Sequence, residues 1–575
     1  MLEKVVQDRQ VKIEKIRQLG FDPYGRRFDG AESVADILGR FKDGDEGQRA
    51  RTAGRLILLR DMGKMMFAHV RDHTGSMQIA FRKNALPEAQ WELAKLLDLG
   101  DIVGIEGQLL KTRTGEITIF ADALELLTKS LLPMPEKYHG LADTETRYRQ
   151  RYLDLMANPE SMALAYKRVA VVQHVRDVLH GRGFVEVETP VLQAIYGGGA
   201  ARPFTTHHNS LDLDLFLRIS PELYLKRLLA GGMPRVFEIG RNFRNEGIDT
   251  RHNPEFTLLE LYQAYADYEV MMEITEEIVA GAAEKFADPG YLIRQAGDYQ
   301  KLNAELRQRI PELDTMRARI VDEAGTVRGE AIDELARAIE KESTRLRVAE
   351  NWNWMMEKSC FRACALVQTG KIALPYCPQV IDFTRPWRRA TYAELLAEHA
   401  GVDMKDSAAV RAKARQLGIE ESNKDDAVVI NEVFERLVEP ALAKPGPDDV
   451  SRPIFVKDYP ADICPLTRRK ADDPSIALRF ECFVAGMEIA NAYTELNDPA
   501  VQEANFRQQL RGEGDNAAMR VMDEDFVTAL RHGMPPAGGL GIGIDRLVML
   551  VTNTPSIRDV VLFPMLRPAE RRALA

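Results

Sequence analysis

Between residues 236 and 262 the chain gathers Arg244, Glu246, Arg251, His252, Phe256, Glu260 and Tyr262. Alternation of apolar and polar residues predicts two strands, 236–246 and 255–262, joined by a polar loop at 247–254. Successive side chains of a strand point to opposite faces, so Arg244 shares a face with Glu246, and Phe256 with Glu260 and Tyr262. The hairpin can present two carboxylates, an arginine, a phenylalanine and a tyrosine together, with Arg251 and His252 at its mouth. Standing alone, it would equally suit a solvated hairpin with cross-strand ion pairs.

Other stretches add to it. In RFECFVAGMEIANAYTELNDP, residues 479–499, Glu481 and Glu488 flank an Ala485–Gly486 turn, and a two-residue hairpin would set both carboxylates on one sheet face. Two hard carboxylates beside a phosphate site can hold magnesium, which prefers oxygen ligands. Asn491, Tyr493 and Glu495 fall out of phase with Glu488, so a shared pocket requires a bulge near Ala490–Asn491. In LRISPELYLKRLL a strand turns into a helix with Ser220 as N-cap, Pro221 at the first helical position and Glu222 in the first turn. There Glu222 also suits the helix dipole, a purely structural role. In AGGLGIGIDR, glycines that permit close approach of the backbone precede Arg546, which can clamp a nucleotide by charge and stacking. This is neither a Walker loop nor a full GxGxxG fingerprint.

The elements that must position these residues come from a chain of 575 residues, too long for one core, with 45% hydrophobic and 29% charged residues. The net charge of −10 excludes a uniformly basic nucleic-acid binder while leaving room for basic patches. No apolar run is long enough for a bilayer, and the charged, amphipathic start is not a secretion signal, so no membrane association and a cytoplasmic location are expected. Five cysteines without zinc-site spacing read as reduced, structural thiols. Residues 1–50 predict helix, turn and helix, leading through the charged KDGDEGQ. Residues 51–135 predict five short strands with a helix at 87–97 between the third and fourth, an OB-type barrel. Phe67 and Gln78, on adjacent strands, could stack on and read a base, or be a core residue and a solvated one. LLPMPEKYHG reads as a linker, 144–182 as helix-rich, RGFVEVETPVL as a strand ending at Pro190, and 264–286 as helical. Residues 289–376 read as a helical, partly exposed insertion, possible as an antiparallel pair, broken at Ile310–Pro311 and Gly325.

Together, RNFRNE…RHNPEFT, RGFVEVETP with its proline, and GLGIGIDR resemble the three signature motifs of class II aminoacyl-tRNA synthetases. They follow an OB barrel, as in the lysine, aspartate and asparagine subgroup. RYRQRYLDL, ARPFTTHHN, LRISPELYLKRLL and EIANAYTELNDP look specifically like the lysyl-tRNA synthetases, bacterial type. The resemblance covers nearly the whole chain outside 289–376. It implies an α+β fold: an OB-fold anticodon-binding domain at 51–135, and at 136–575 a catalytic domain built on an antiparallel sheet flanked by helices. It also implies lysine activation by ATP with Mg2+, then transfer of lysine to tRNA(Lys).

By resemblance, Arg244 bridges the lysine carboxylate and the α-phosphate; Phe256 and Arg546 sandwich the adenine; Arg251 and His252 hold the triphosphate; Asn253 and Glu246 line the nucleotide site. Glu481 and Glu488 match the metal ligands. Glu260, Glu495 and Tyr262 match the ε-ammonium site, Glu222 and the Gly198 backbone the α-amine site, and Asn491 the carboxylate site. An ammonium taken from water needs carboxylate partners, and no arginine or lysine occupies these matched positions, which favours lysine over aspartate or asparagine. Phe67 and Gln78 match anticodon-binding positions, whereas Ala123, after Asp122, stands where many relatives carry glutamate. Pro190 matches a dimer-interface strand, which implies a homodimer. A lysine ligase acting on protein would lack the barrel. A non-catalytic RNA-binding paralogue would be expected to lose Arg244, Glu481, Glu488 or Arg546, and all four are present.

Overall fold

A computed structural model describes residues 2–42, 44, 47–135, 141, 143–199, 201–324, 330–511 and 522–567. Parts of KDGDEGQ, the end of LLPMPEKYHG and the expected break at Gly325 lie outside the described residues. The chain divides into two compact units, Met1–Pro159 and Glu160–Ala575.

In the first unit, helices Leu2–Gln18 and Val34–Arg40 precede a closed barrel. Its strands are β1 (Arg49–Asp61), β2 (Met65–Arg71), β3 (Ser76–Arg82), β4 (Ile102–Lys111) and β5 (Ile117–Thr128), ordered β1-β2-β3-β5-β4. The helix Glu88–Lys95 lies between the third and fourth strands in sequence, as the pattern predicts. Alternation drives closure: Met66, Ala68 and Val70 of β2 point inward to Ile79 and Phe81 of β3, while the intervening residues face out.

The second unit is built on an eight-stranded sheet. In chain order its strands are β6 (Val185–Glu186), β7 (Arg235–Phe243), β8 (Glu255–Ala264), β9 (Arg388–Thr391), β10 (Ile454–Pro460), β11 (Ile476–Val484), β12 (Met487–Thr494) and β13 (Ala537–Gly543). Across the sheet the order is β9-β10-β11-β12-β13-β8-β7-β6, antiparallel except for the parallel edge pairs β9/β10 and β6/β7. One face carries Phe237, Leu259, Leu261, Ala490, Ala492, Leu540 and Ile542. It is covered by the helices Pro159–Gly181, Tyr268–Glu284 and Ile544–Val551. Each large aliphatic side chain buried there contributes roughly 1.5–3 kcal/mol. The opposite face forms the floor of the site described below.

Three local expectations are corrected. RGFVEVETPVL is not one strand: Val185–Glu186 pairs with β7 at the edge of this sheet, and Leu192 opens a second short strand, Leu192–Gln193, that belongs to a separate three-stranded sheet. The first strand of the central hairpin ends at Phe243, so Arg244 and Glu246 stand in the loop beyond it. The helix Pro289–Ala324 runs through Pro311, with no break at Ile310–Pro311. The insertion is the antiparallel pair anticipated. Gln300 bonds Glu357, Arg307 pairs with Glu350, and Asp314 with Ser343, a ladder that steps one way along Pro289–Ala324 and the other along Glu330–Gln368. Among the described residues, no helix is long and apolar enough to cross a membrane.

Candidate active site and nucleic-acid interface

The register of β13 explains the site floor. Gly539, Gly541 and Gly543 alternate with Leu540 and Ile542, which point into the core, so the glycines leave the opposite face bare. Across from them Glu260 pairs with Gly541, and Tyr262 with Gly539. The absence of a side chain is required at Gly539: a Cβ there would lie 2.0 Å from Glu495 Oε1 and 2.5 Å from the Tyr262 ring. Over this floor opens a cavity of about 630 Å³. At one end it is lined by Gly198, Glu222, Glu260, Tyr262 and Asn491, and at the other by Glu246, Arg251, His252, Phe256 and Arg546. Arg244, Asn253 and Glu488 also line it.

Strand β12 reaches both ends because it carries a bulge. Glu488 pairs with Phe483 and Ala490 with Cys482, leaving Ile489 as the extra residue. Ile489 and Ala490 both turn to the core, and the phase of the strand flips between Glu488 and Asn491. The break anticipated at Ala490–Asn491 thus occurs one residue earlier.

The amino-acid end is acidic and dry. Helix Glu222–Ala230 begins after Ser220, whose Oγ accepts from the Glu222 amide at 3.0 Å and donates to Glu260 Oε1 at 2.7 Å. Gly198 adopts φ +83°, and a Cβ there would press on Ser220 Oγ at 2.9 Å and Glu222 Cβ at 3.0 Å, so its backbone stays close to Glu222. Burial first, then the Glu222 carboxylate, pushes Glu260 up to about 8. Tyr262 OH donates to Glu260 Oε2 at 3.4 Å. Glu495 is fully buried just behind the cavity, and its Oε1 has no hydrogen-bond partner. Lys226, which the sequence reading passed over, joins Glu222 and Glu495: its Nζ lies 2.6 Å from Glu222 Oε1 and 2.5 Å from Glu495 Oε2. The signal for it was the i,i+4 spacing from Glu222.

At the other end Arg244 lies over Phe256, its guanidinium carbon 5.1 Å from the ring centroid, while its Nε has no hydrogen-bond partner. Asn253 donates to the Glu255 carbonyl, and its Oδ1 is likewise unpartnered. Unpaired buried polar atoms are costly, so these two, with Glu495 Oε1 at the amino-acid end, mark where a polar ligand belongs. Arg546 Nη1 donates to the Glu488 carbonyl at 2.6 Å, and Nη2 to His252 Nε2 at 3.0 Å. That places the imidazole proton on Nδ1, 2.8 Å from Asp249. Arg251 reaches the Gly486 carbonyl at 3.2 Å. Asp545, another residue not foreseen, ties the helix bearing Arg546 to β8 by accepting from the Thr257 amide at 2.7 Å.

Glu481 does not line the cavity. It lies beside it on the same sheet face, paired with Asn491 and held against Arg479 and the Tyr459 hydroxyl, which donates to it at 2.9 Å. Arg479, also unforeseen, shares the Glu481 face at i,i−2 and donates to Asn491 Oδ1 at 3.2 Å. Burial, opposed by Arg479 and reinforced by Glu488, raises Glu481 to about 6. Glu439 is raised to about 7 by burial and by Glu481, Glu435 and Glu488. A cluster of acids that repel one another beside a cavity with arginines fits a hard divalent cation, with ligand oxygens completing the shell. The described residues alone supply no group of three or more ligands.

On the barrel, Phe67 of β2 and Gln78 of β3 share the outer face, since His69 pairs with Gln78. Both are half-buried, so Phe67 is not a core residue. Gln78 Nε2 donates to Glu116 at 2.7 Å and its Oε1 accepts from Thr118 at 2.7 Å. Ala123 pairs with Glu106 beside a bulge at Asp122, whose carboxylate is held by Arg49 at 2.9 Å.

Comparison with known proteins agrees with this geometry. Residues 143–567 match the family of class II tRNA synthetases (D, K and N), and residues 50–127 match the OB-fold nucleic acid binding domain. A lysine–tRNA ligase of Pelotomaculum thermopropionicum is 43% identical over 577 residues, covering 99% of this chain and 96% of its own. One of Carboxydothermus hydrogenoformans is 42% identical, covering 99% of both chains. One of Bacillus cereus is 42% identical, covering 97% of this chain and 96% of its own. With a barrel, a glycine-floored cavity and matches of this extent, the chain belongs to the class II tRNA synthetases of the aspartate, lysine and asparagine group, and within it to the lysine–tRNA ligase family.

Proposed function

We propose that this protein activates L-lysine with ATP and transfers the lysyl group to the 3′ end of tRNA(Lys), acting as a cytoplasmic homodimer. One observation carries the reading: a single cavity has buried carboxylates at one end and arginines with an aromatic ring at the other. In the first step a lysine carboxylate oxygen attacks the α-phosphorus of ATP. An O–P bond forms, the bond to the bridging oxygen of the β-phosphate breaks, and pyrophosphate leaves with the electron pair. In the second step a terminal ribose hydroxyl attacks the lysyl carbonyl carbon and AMP leaves.

The protein's work is alignment and charge neutralisation. Arg244, whose Nε is unpartnered, would bridge the lysine carboxylate and the α-phosphate as charge builds there. Asn491 would assist at the carboxylate, and Glu222 with the Gly198 backbone would hold the α-amine. Glu260, Glu495 and Tyr262 would take the ε-ammonium, whose desolvation only nearby carboxylates can offset. An aspartate substrate would bring a further negative charge against Glu260. Phe256 and Arg546 would sandwich adenine, Arg251 and His252 would hold the bent triphosphate, and Asn253 and Glu246 would complete the nucleotide site. Glu481 and Glu488 would hold magnesium, which when bound supplies neutralisation of the phosphate charge.

On the barrel, Phe67 would stack on an anticodon base and Gln78 would read its edge. The homodimer reading is supported by exposed apolar side chains at Val185, Val191, Leu192, Leu211 and Leu213, around the edge strand and Pro190. Amino-acid-dependent ATP–pyrophosphate exchange, screened over twenty amino acids with magnesium, tests the function. Exchange with lysine alone is expected. Exchange with aspartate or asparagine would overturn the substrate, and no exchange at all would overturn the enzyme.

A further inference from the structure

The amino-acid end of the cavity contains a cation of its own. Lys226 lies one helical turn after Glu222 and is 1% exposed. Its ammonium bridges one oxygen each of Glu222 and Glu495, and stands 5.8 Å from the centroid of the Tyr262 ring. These are the charged or titratable groups that face it. Burial works against the ammonium, but the two carboxylates outweigh it and hold its pKa above the ordinary lysine value. Lys226 is paired with Glu495 Oε2, while Oε1 has no hydrogen-bond partner and lies against Gly539 at the cavity floor.

We propose that Lys226 is a positioning and specificity residue of the lysine pocket: its ammonium, paired with one oxygen each of Glu222 and Glu495, fixes both side chains in place for an incoming diamino acid. The proposal rests on the function proposed above. The physical argument is charge balance in a dry site. Glu222, Glu260 and Glu495 crowd together, and Glu260, faced also by Arg244 and Arg218, already favours its acid form. Burial raises Glu495 to about 7 even against the pull of Lys226, so without that cation it would be driven further toward its acid form. A protonated Glu495 offers an ammonium no countercharge, so affinity for lysine would fall until substrate binding drove that proton off. With Lys226 in place, part of that cost is met during folding, and the incoming ammonium finds Glu222 and Glu495 oriented and Glu495 nearer its ionised form.

The test compares wild type with Lys226→Met and Lys226→Gln in lysine-dependent ATP–pyrophosphate exchange from pH 6.5 to 9, with circular-dichroism melts to establish folding. The expected result is a tenfold or greater rise in KM for lysine at pH 7, KM for ATP within twofold of wild type, and partial recovery of the lysine KM at pH 9. A lysine KM within twofold of wild type at every pH, or a loss confined to kcat with an unchanged pH profile, would overturn the proposal and leave Lys226 a structural residue. Calorimetry on the wild type supplies a measurement independent of variant folding. Lysine binding at pH 8 in buffers of different ionisation enthalpy should release at most about one proton, chiefly from Glu260; release of two or more would overturn the role of Lys226 in holding Glu495 toward its ionised form. Absence of lysine-dependent exchange in the wild type would instead fail the proposed function, and this inference with it.

Discussion

Gly539→Ala isolates the lysine end of the cavity by adding one methyl group. Gly539 sits between Tyr262 and Tyr493 on neighbouring strands, and its added Cβ would meet Glu495 Oε1 at 2.0 Å and two Tyr262 ring carbons at 2.5 and 2.8 Å. An ordinary carbon contact begins near 3.4 Å, so Glu495 would have to retreat by about 1.4 Å, from a position where its other oxygen holds Lys226 at 2.5 Å. Tyr262 is 3% exposed, so its ring too would have to shift within a packed wall. Overpacking of this kind costs about 1–3 kcal/mol. Where that cost falls on the pocket, it corresponds to roughly a fivefold to hundredfold rise in KM for lysine. Phe256 and Arg546 line the other end of the cavity, so KM for ATP should stay within about twofold of wild type. Pyrophosphate exchange with each substrate titrated in turn, alongside a thermal melt, measures both. A variant that melts normally and binds lysine with unchanged KM would refute the claim that this glycine is required by the contact between Glu495, Tyr262 and the floor.

Glu260, raised to about 8 by burial and Glu222, should make lysine binding pH-dependent, because its proton must leave before the carboxylate can pair with an ammonium. KM for lysine is therefore expected to fall from pH 6.5 to 8.5, and Glu260→Gln to remove that limb while weakening binding. The same upward shift favours folding fully below the ordinary glutamate pKa and is lost as pH rises through about 8, so the melting temperature of lysine-free protein should decline over that window less in Glu260→Gln than in wild type. Chelation with EDTA should abolish exchange, and Glu488→Gln should raise the magnesium concentration for half-maximal exchange severalfold; exchange that survives chelation would refute the metal role. Phe67→Ala should leave exchange untouched and raise KM for tRNA in aminoacylation by about fivefold to a hundredfold, the equivalent of about 1–3 kcal/mol of base stacking. An unchanged KM for tRNA would remove Phe67 from the anticodon interface.

Much of this architecture was legible in the residues because alternation is local. The barrel strands and the hairpin around Ala485–Gly486 follow from period-two patterns closed by turns, and the conflict of phase between Glu488 and Asn491 forced the expectation of a bulge. What escaped depended on neighbours distant in the chain. RGFVEVETPVL alternates as a strand should, yet its two ends find partners in different sheets, Val185–Glu186 beside β7 and Leu192 beside Leu217, so it is not one strand. Pro311 lacks an amide hydrogen, but the loss of one helical bond did not stop Pro289–Ala324, which is braced along its length by the facing helix. Lys226 drew no notice in the sequence, four positions after Glu222; its meaning comes from Glu495, 269 positions later, which makes a buried triad. The roles proposed for Glu222 and Glu495 come from family likeness, whereas their countercharge is visible only in space.

The extra residue at Ile489 makes the strand tolerant of a lost residue at this one position in a way composition alone would not reveal. Substituting Ile489 by another aliphatic residue keeps the step in place. Deleting it would close the step without exchanging the faces: Ala490 would follow Glu488 into the apolar layer beneath the sheet, and Asn491 and Tyr493 would stay on the cavity side. What one lost codon would remove is the bend and extra twist that a bulge adds, and with them the spacing between Glu488 and Asn491, although every functional side chain would still be present in the gene.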